Sequence, residues 1–264
     1  MMKSIIFRLL ISVCVLCYAV IPCSSMQEKE IKTFVSLSPA LTEIMYAIGA
    51  DSELLGVSSE CNYPNRVKNK DVIGNVYFIN TEKLLKIKPD YILMTEGAYP
   101  TSKIIEKTGI KTISFEMNSV NAVYNAILTL GKLSNKNENA ENLVKYISNE
   151  IEKPKVVRKK KILYLIQTNP YITIGNKSFI SDVIKQAGHI SVTDDINEFY
   201  PSVSSEYLVN KQPDIIVVCF KSDEKMLQKI FPHKKIIYLS KSQNDLINRP
   251  SSRINLSVKF FANF

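Results

Sequence analysis

Apolar residues recur along this chain in two alternating rhythms. Short blocks with apolar residues at every second position, or in one unbroken run, read as strands. Blocks with apolar residues every three to four positions read as helices. IKTFVSL, LLGVSS, DVIGNV, DYILMT and IKTISF are of the first kind, and SPALTEIMYAIGA, TEKLLKI and SKIIEKTG are of the second. In the first helix Ser38 stands at the cap, Pro39 suits the first turn, Ile44, Met45 and Ile48 share a face, and Gly49 supplies the stop. From Ser119 to Lys153 only helical spacing remains, in NAVYNAILTLGKL and, after a break at the polar NKNENA, in ENLVKYISNEIEK. Past Pro154 the alternation restarts through KILYLIQ, SFISDVIKQAG, EYLVNKQ, DIIVVCF, EKMLQKIF and KKIIYLS, and a helix over about Ser251–Phe264 ends the chain. Strands alternating with helices predict an α/β fold with mostly parallel sheets covered by helices.

The parts on either side of the helical stretch repeat one another. INTEKLLKIKPDYIL begins at Ile79 and SSEYLVNKQPDIIVV at Ser204. Each carries a Glu (Glu82, Glu206), a Leu-containing apolar pair, a Pro-Asp step seven residues after the Glu, and a closing apolar run. LTEIMYAIG from Leu41 likewise matches ISDVIKQAG from Ile180, with an acid (Glu43, Asp182) six residues before a Gly (Gly49, Gly188). The expected architecture is two similar α/β lobes, over 26–135 and 158–264, joined by a long linking helix over 136–157, with a ligand cleft between the lobes.

At the N-terminus Lys3 and Arg8 precede an apolar run from Leu9 to Ile21. That run is short for a membrane span, so residues 1–25 read as an export signal and place the mature protein in the periplasm or otherwise outside the cytoplasm. Two processing routes are open, cleavage after Ser25 and lipid attachment at Cys23. Cys14, Cys17 and Cys23 belong to the leader, which leaves Cys61 and Cys219. Two distant cysteines make no disulfide framework, and buried free thiols are expected.

The 264 residues, 45% hydrophobic and 22% charged, are enough to bury a sizeable core. The net charge of +9 comes from scattered Lys rather than a basic patch interleaved with groove-reading residues, so no nucleic-acid partner is expected. His189 and His233 are too few for a metal-ion receptor, and His189, after a helix-ending Gly, is expected to cap or to sit at the surface. IGNKS lacks the spacing of a phosphate loop. A nucleophile elbow, a Ser/His/Asp set and a Cys/His pair are all missing from the sequence. These absences point away from an enzyme, and no catalytic residue, cofactor or resident metal is expected; the alternative from another class is a secreted α/β hydrolase.

FVSLSPALTEIMYAIGADSELLGVSSECNYP, TEKLLKIKPDYIL, NPYITIGNKSFISDVIKQAG and FYPSVSSEYLVNKQPDIIVV, in that order, resemble the substrate-binding proteins of ABC importers for cobalamin and iron complexes. The cobalamin-binding members are the nearest, and the resemblance runs from about Ile31 to Phe264. It implies two lobes flanking a rigid linking helix. It also implies capture of a corrinoid (cobalamin-like) ligand and delivery to an inner-membrane permease dimer with a cytoplasmic ATPase. A monomer is expected. In that family a Glu on each lobe docks onto permease arginines, and the matching positions are Glu82 and Glu206. An acid in a first turn also stabilises its own helix, by about 0.3–1 kcal/mol.

Ligand contacts are expected from loops at the strand ends that face the cleft. The candidates are Ser38, Pro39, Glu60, Tyr63, Tyr77, Phe78 and Tyr99 in the first lobe, and Tyr171, Phe199, Tyr200, Asp245 and Arg249 in the second. Aromatic faces suit a large flat or amide-rich ligand, and Arg binds carboxylate or amide oxygen. The chain has no Trp, and Glu60 stands where the resemblance implies a ring that stacks on the corrin. A ferric siderophore or haem is therefore the alternative ligand within the same transporter class.

Overall fold

The computed structural model describes residues 31–75, 77–97, 103, 105–152, 158–220 and 224–264. The expected export signal, Cys23 and Tyr99 lie outside the described residues. The first sheet contains β1 (Phe34–Ser36), β2 (Leu54–Ser58), β3 (Asp71–Gly74), β4 (Tyr91–Thr95) and β5 (Lys111–Phe115), in the order β3-β2-β1-β4-β5. All its pairings are parallel. Helices α1 (Pro39–Ala47) and α2 (Thr81–Ile87) belong to this half.

The second sheet runs β11-β10-β6-β7-β9, from β6 (Lys161–Thr168), β7 (Tyr171–Thr173), β9 (Ser202–Val203), β10 (Ile215–Val218) and β11 (Lys235–Tyr238), with β8 (Ile190–Ser191) also on β6. β7 is antiparallel to both of its neighbours, and the remaining pairings are parallel. Its helices are α5 (Phe179–Gln186), α6 (Ser205–Asn210), α7 (Glu224–Ile230), α8 (Lys241–Ile247) and α9 (Ile254–Ala262). The fold is thus α/β, in two lobes of mostly parallel sheet.

Between the sheets run α3 (Val120–Leu133) and α4 (Asn137–Glu152). The helix breaks within the expected polar run, at Asn135 and Lys136, and the rest of that run, Asn137 to Ala140, forms the first turn of α4. The break itself is confined to the residues between the two helices, where Asn135 takes a φ of 57°. Gly131 lets α3 approach α4, since a Cβ there would lie 2.4 Å from the Cβ of Ala140. The largest buried cluster draws on β1 and α1, on α3, α4 and α9, and on β6 and β10, so one apolar core serves both sheets. Smaller clusters fill the outer faces, around Leu163, Leu165 and Leu208 on one sheet and Val35, Ile73 and Ile92 on the other.

The sequence repeat is a structural repeat. Asn80 Oδ1 accepts the Lys83 N–H and Ser204 Oγ accepts that of Tyr207, so a side-chain cap starts both Glu-headed helices. Lys88 and Gln212, each just before a Pro, both have φ of 49°. A residue before proline is disfavoured from continuing a right-handed helix, and both helices turn out at that point. Asp90 then accepts the N–H of Thr33, and Asp214 that of Lys161.

Two local expectations change. Ser38 occupies the cap position of α1 without capping through its side chain; its backbone is engaged by Ser36 Oγ instead. His189 does cap α5, its backbone N–H donating to the Ile184 carbonyl at 3.0 Å just after Gly188, but it is not a surface group, being 4% exposed. Its Nδ1 accepts the Lys160 N–H at 3.1 Å and its Nε2 lies 3.0 Å from the Phe261 carbonyl, a geometry that fixes a neutral ring with the proton on Nε2.

Candidate functional site

In a parallel sheet the loops after the strands share one edge, and that edge is where the two halves face each other. Thr95 ends β4 and Glu96 and Gly97 follow it, Phe115 ends β5 and Glu116 to Asn118 follow it, and Ser38 to Ala40 open α1. With Phe179, Phe199, Tyr200, Arg249 and Pro250 from the second half they enclose a cavity of about 660 Å³. A second space of about 980 Å³ adds Ile166, Ile172, Cys219, Phe220, Lys241, Asn244 and Asp245. Met117, Phe179, Tyr200, Arg249 and Pro250 border both, so the two form one seam. Its walls are mostly apolar and aromatic with a few polar groups, the make-up of a site for a sizeable small molecule.

Of the expected ligand residues the seam brings together Ser38, Pro39, Phe199, Tyr200, Asp245 and Arg249. Glu60, Tyr63, Tyr77 and Phe78 are not among its lining residues. Glu60 is exposed and accepts the Ser59 hydroxyl at 2.8 Å. The Tyr63 ring lies under the Arg253 guanidinium, 3.9 Å from ring centre to Cζ. Asn75 Oδ1 accepts the N–H groups of both Tyr77 and Phe78, and the two residues stand out into solvent. Tyr171 is corrected to a core residue. It is 7% exposed and packs with Leu163, Leu165 and Leu208, because β7 turns it to the outer face of its sheet.

Phe115, Met117, Phe179 and Phe220 also line the seam and are not among the sequence candidates. Phe115 ends β5 and Met117 follows it, so the strand-end rule would have found both had it been applied to every strand. Phe179 follows Ser178, which caps α5 by accepting the Ser181 N–H.

The strongest polar feature beside the seam is also absent from the candidates. Glu43, on α1, is 2% exposed. Its carboxylate accepts from Arg253 Nε at 2.8 Å, Arg253 Nη2 at 2.7 Å, Ser251 Oγ at 2.6 Å and Arg249 Nη1 at 3.2 Å. All of these donors come from the turn between α8 and α9. Arg249 also reaches Asn62 Oδ1 at 2.5 Å and Asp245 Oδ1 at 3.1 Å, while Asn62 Nδ2 donates to Asp245 Oδ2 at 2.9 Å. The side chain expected to meet ligand is therefore already held by two carboxylates and an amide.

Cys61 and Cys219 are free and buried. Burial is the main cause that pushes both thiols up, so neither is a ready nucleophile. Burial, with the Cys219 thiol as a second cause, also pushes the Tyr200 phenol up.

Glu82 and Glu206 are both exposed in the first turns of α2 and α6. Each helix leads back to a strand parallel to its neighbours, so both helix starts lie at the strand-carboxyl edge, the edge that also forms the seam. Near Glu82, Lys83 is drawn away to Asp71 at 2.7 Å. The backbone N–H of Glu206 itself, and then the Ser204 hydroxyl, hold its carboxyl below the usual range, so it is ionised.

The family model described as periplasmic binding protein matches residues 34–233. A vitamin B12-binding protein of Vibrio vulnificus strain YJ016 is 26% identical over 247 residues, covering 89% of this chain and 90% of that one. YvrC of Bacillus subtilis strain 168, an uncharacterised ABC transporter substrate-binding lipoprotein, is 29% identical over 213 residues, 72% of this chain and 64% of its own. Among solved structures, the periplasmic haem-binding protein RhuT from Roseiflexus sp. RS-1 superposes with a TM-score of 0.73 at 23% identity, over 89% of this chain and 97% of that one.

Proposed function

This chain belongs to the periplasmic binding protein family, a class of non-enzymatic transport components that act outside the cytoplasm, and from that premise we propose that it captures a corrinoid in its seam and delivers it to an ABC permease. The observation that carries the reading is the seam itself, apolar and aromatic on both walls and formed by both lobes. Glu82 and Glu206 dock the loaded protein, one carboxylate per lobe, on arginines of a permease dimer. An ionised carboxylate and a guanidinium form strong charge-assisted bonds, and one acid on each half suits a two-fold partner. Residues 1–25 direct export, Cys23 is the lipidation candidate, and lobes over 26–135 and 158–264 with a link over 136–157 remain our division of the chain.

The charge in the seam favours a corrinoid over an anionic ferric siderophore. Its lining cations among the described residues are Arg249 and Lys241, and Arg249 is already balanced by Glu43 and Asp245. A neutral, amide-bearing rim asks for no further cation. Haem is the second reading, because Tyr200 lines the seam and a phenolate can ligate haem iron. Calorimetry with cobalamin, cobinamide, haemin and ferric siderophores tests the assignment. Binding of a corrinoid without turnover is expected. Exclusive binding of haemin or a siderophore would replace the ligand, and turnover would replace the class.

A further inference from the structure

We infer that Glu43 is a positioning residue for the seam: it holds Arg249 in the cavity wall from behind, without contacting ligand. The inference rests on the reading of the seam as the ligand site.

A carboxylate on an apolar helix loses its hydration on burial, and it stays ionised only when charge and hydrogen bonds replace that water. Arg253 and Ser251 alone give Glu43 three short bonds, at 2.8, 2.7 and 2.6 Å. Arg249 nevertheless reaches in as well, at 3.2 Å, although it has Asp245 four residues away on its own segment. The result is a guanidinium fixed at three points, by Glu43 and Asn62 from the first half and by Asp245 from the second. Arg249 and its neighbour Pro250 border both parts of the seam, so whatever fixes this turn fixes the wall.

The internal repeat supplies the contrast. Asp182, the acid that matches Glu43, accepts the backbone N–H of Val120 at 2.7 Å, at the start of α3. Both acids reach beyond their own helices, but only Glu43 grips arginines, and only one of those arginines borders the seam. Without the Glu43 charge, Arg249 and Arg253 would be left as neighbouring cations, with Asp245 the one carboxylate that pairs with Arg249 among the described residues. Arg249 would then swing toward solvent or ligand.

Two measurements test this. In arginine side-chain nitrogen NMR of the ligand-free protein, the Arg249 guanidinium is expected to rotate slowly, with resolved Nη signals, and to become averaged in Glu43→Gln. Averaged signals in the wild-type protein, or a still-locked Arg249 in Glu43→Gln, would overturn the inference. Should Glu43→Gln fail to fold, Arg253→Lys weakens the same cluster with Glu43 in place. Arg249 must then remain locked, and its release would assign the grip to Arg253 instead. In binding assays with cyanocobalamin and haemin, Glu43→Gln is expected to weaken the bound compound about tenfold, and to have almost no effect in an Arg249→Ala background. Equal loss in both backgrounds would mean a general structural role and would sink the idea. If neither compound binds the wild-type protein, the ligand reading fails, and the NMR measurement still decides the role of Glu43.

Discussion

Asp90 accepts the backbone N–H of Thr33 at 2.8 Å, where β4 and β1 set out side by side. Asp214 does the same for Lys161 at 2.8 Å, where β10 and β6 set out. The Pro-Asp step that recurs in the sequence is thus a device for starting two parallel strands together. The Thr33 backbone and hydroxyl bonds hold the Asp90 carboxyl below its usual range. A carboxylate depressed in the folded state stabilises above its unfolded pKa of about 3.9 and loses that contribution as pH falls toward the folded value. Asp90→Ala should cost about 1 kcal/mol at neutral pH, a modest figure because the group is exposed. Urea melts should show the gap from wild type closing as the medium is acidified below about pH 4. A gap unchanged in acid would exclude the carboxylate as its source.

Replacing Glu82 and Glu206 together by Ala should leave ligand affinity within about twofold and reduce uptake by at least about tenfold, since in the proposed docking each truncation would leave a permease guanidinium unpaired. Single variants should fall between. Each also loses a little helix stability, because the acid sits at a helix start. Transport in reconstituted vesicles, read beside calorimetry on the same variants, separates the two effects. Lost affinity with docking intact would move these acids from the transporter to the ligand.

Gly175 sits where the chain after β7 passes under the loop that carries Phe199 and Tyr200. Its N–H donates to the Phe199 carbonyl at 3.0 Å. A Cβ there would lie 2.2 Å from the Glu198 carbonyl oxygen and 2.7 Å from that of Ile196. Neither backbone oxygen can turn aside as a flexible side chain would. Gly175→Ala should therefore shift both aromatic residues, cost about 1–3 kcal/mol of stability and weaken ligand binding by about tenfold. Retained affinity would mean that those rings do not grip the ligand.

His189 gives a pH dependence of the opposite sense to a histidine whose pKa is raised by a carboxylate partner. Burial, the largest cause, lowers its pKa, with Lys160 adding to the effect and the Phe261 carbonyl opposing it. The unfolded chain therefore takes up a proton, below about pH 6.5, that the folded chain refuses. Stability should decline as pH falls through that region and level off once the folded ring is also protonated. His189→Gln should flatten this slope, and should cost about 1–3 kcal/mol at neutral pH if the Lys160 N–H is left unpaired. Melts across pH 5 to 8 that are parallel for the two proteins would contradict the assignment.

Much of the fold was legible because it rests on local rules. Asn80 and Ser204 cap, Gly49 stops α1 with φ of 73°, and Pro89 and Pro213 close their helices, each through residues within one turn. What escaped depends on distant partners. β7 and β9 span three and two residues, too short for any periodicity, and exist only through pairing onto β6 and onto each other. The last helix begins at Ile254 rather than near Ser251, because Ser251 and Arg253 are turned toward Glu43. Glu43 reads in the sequence as one acid among the repeats, since its partners lie more than 200 positions away. The seam was half legible for the same reason: Phe199 and Tyr200 stand out in a loop, whereas Phe179 reads as an ordinary buried helix residue until the opposite wall is in place.

Phe34 of the first sheet and Tyr164 of the second lie in one buried cluster with α3, α4 and α9 between them. Neither half can lose its packing without baring apolar surface of the other. Heat or urea should melt the protein in a single step, and damage to one half should lower the same transition as damage to the other. A molecule built by repetition has in this way become indivisible: its twin halves no longer possess separate stabilities for evolution, or an engineer, to adjust one at a time.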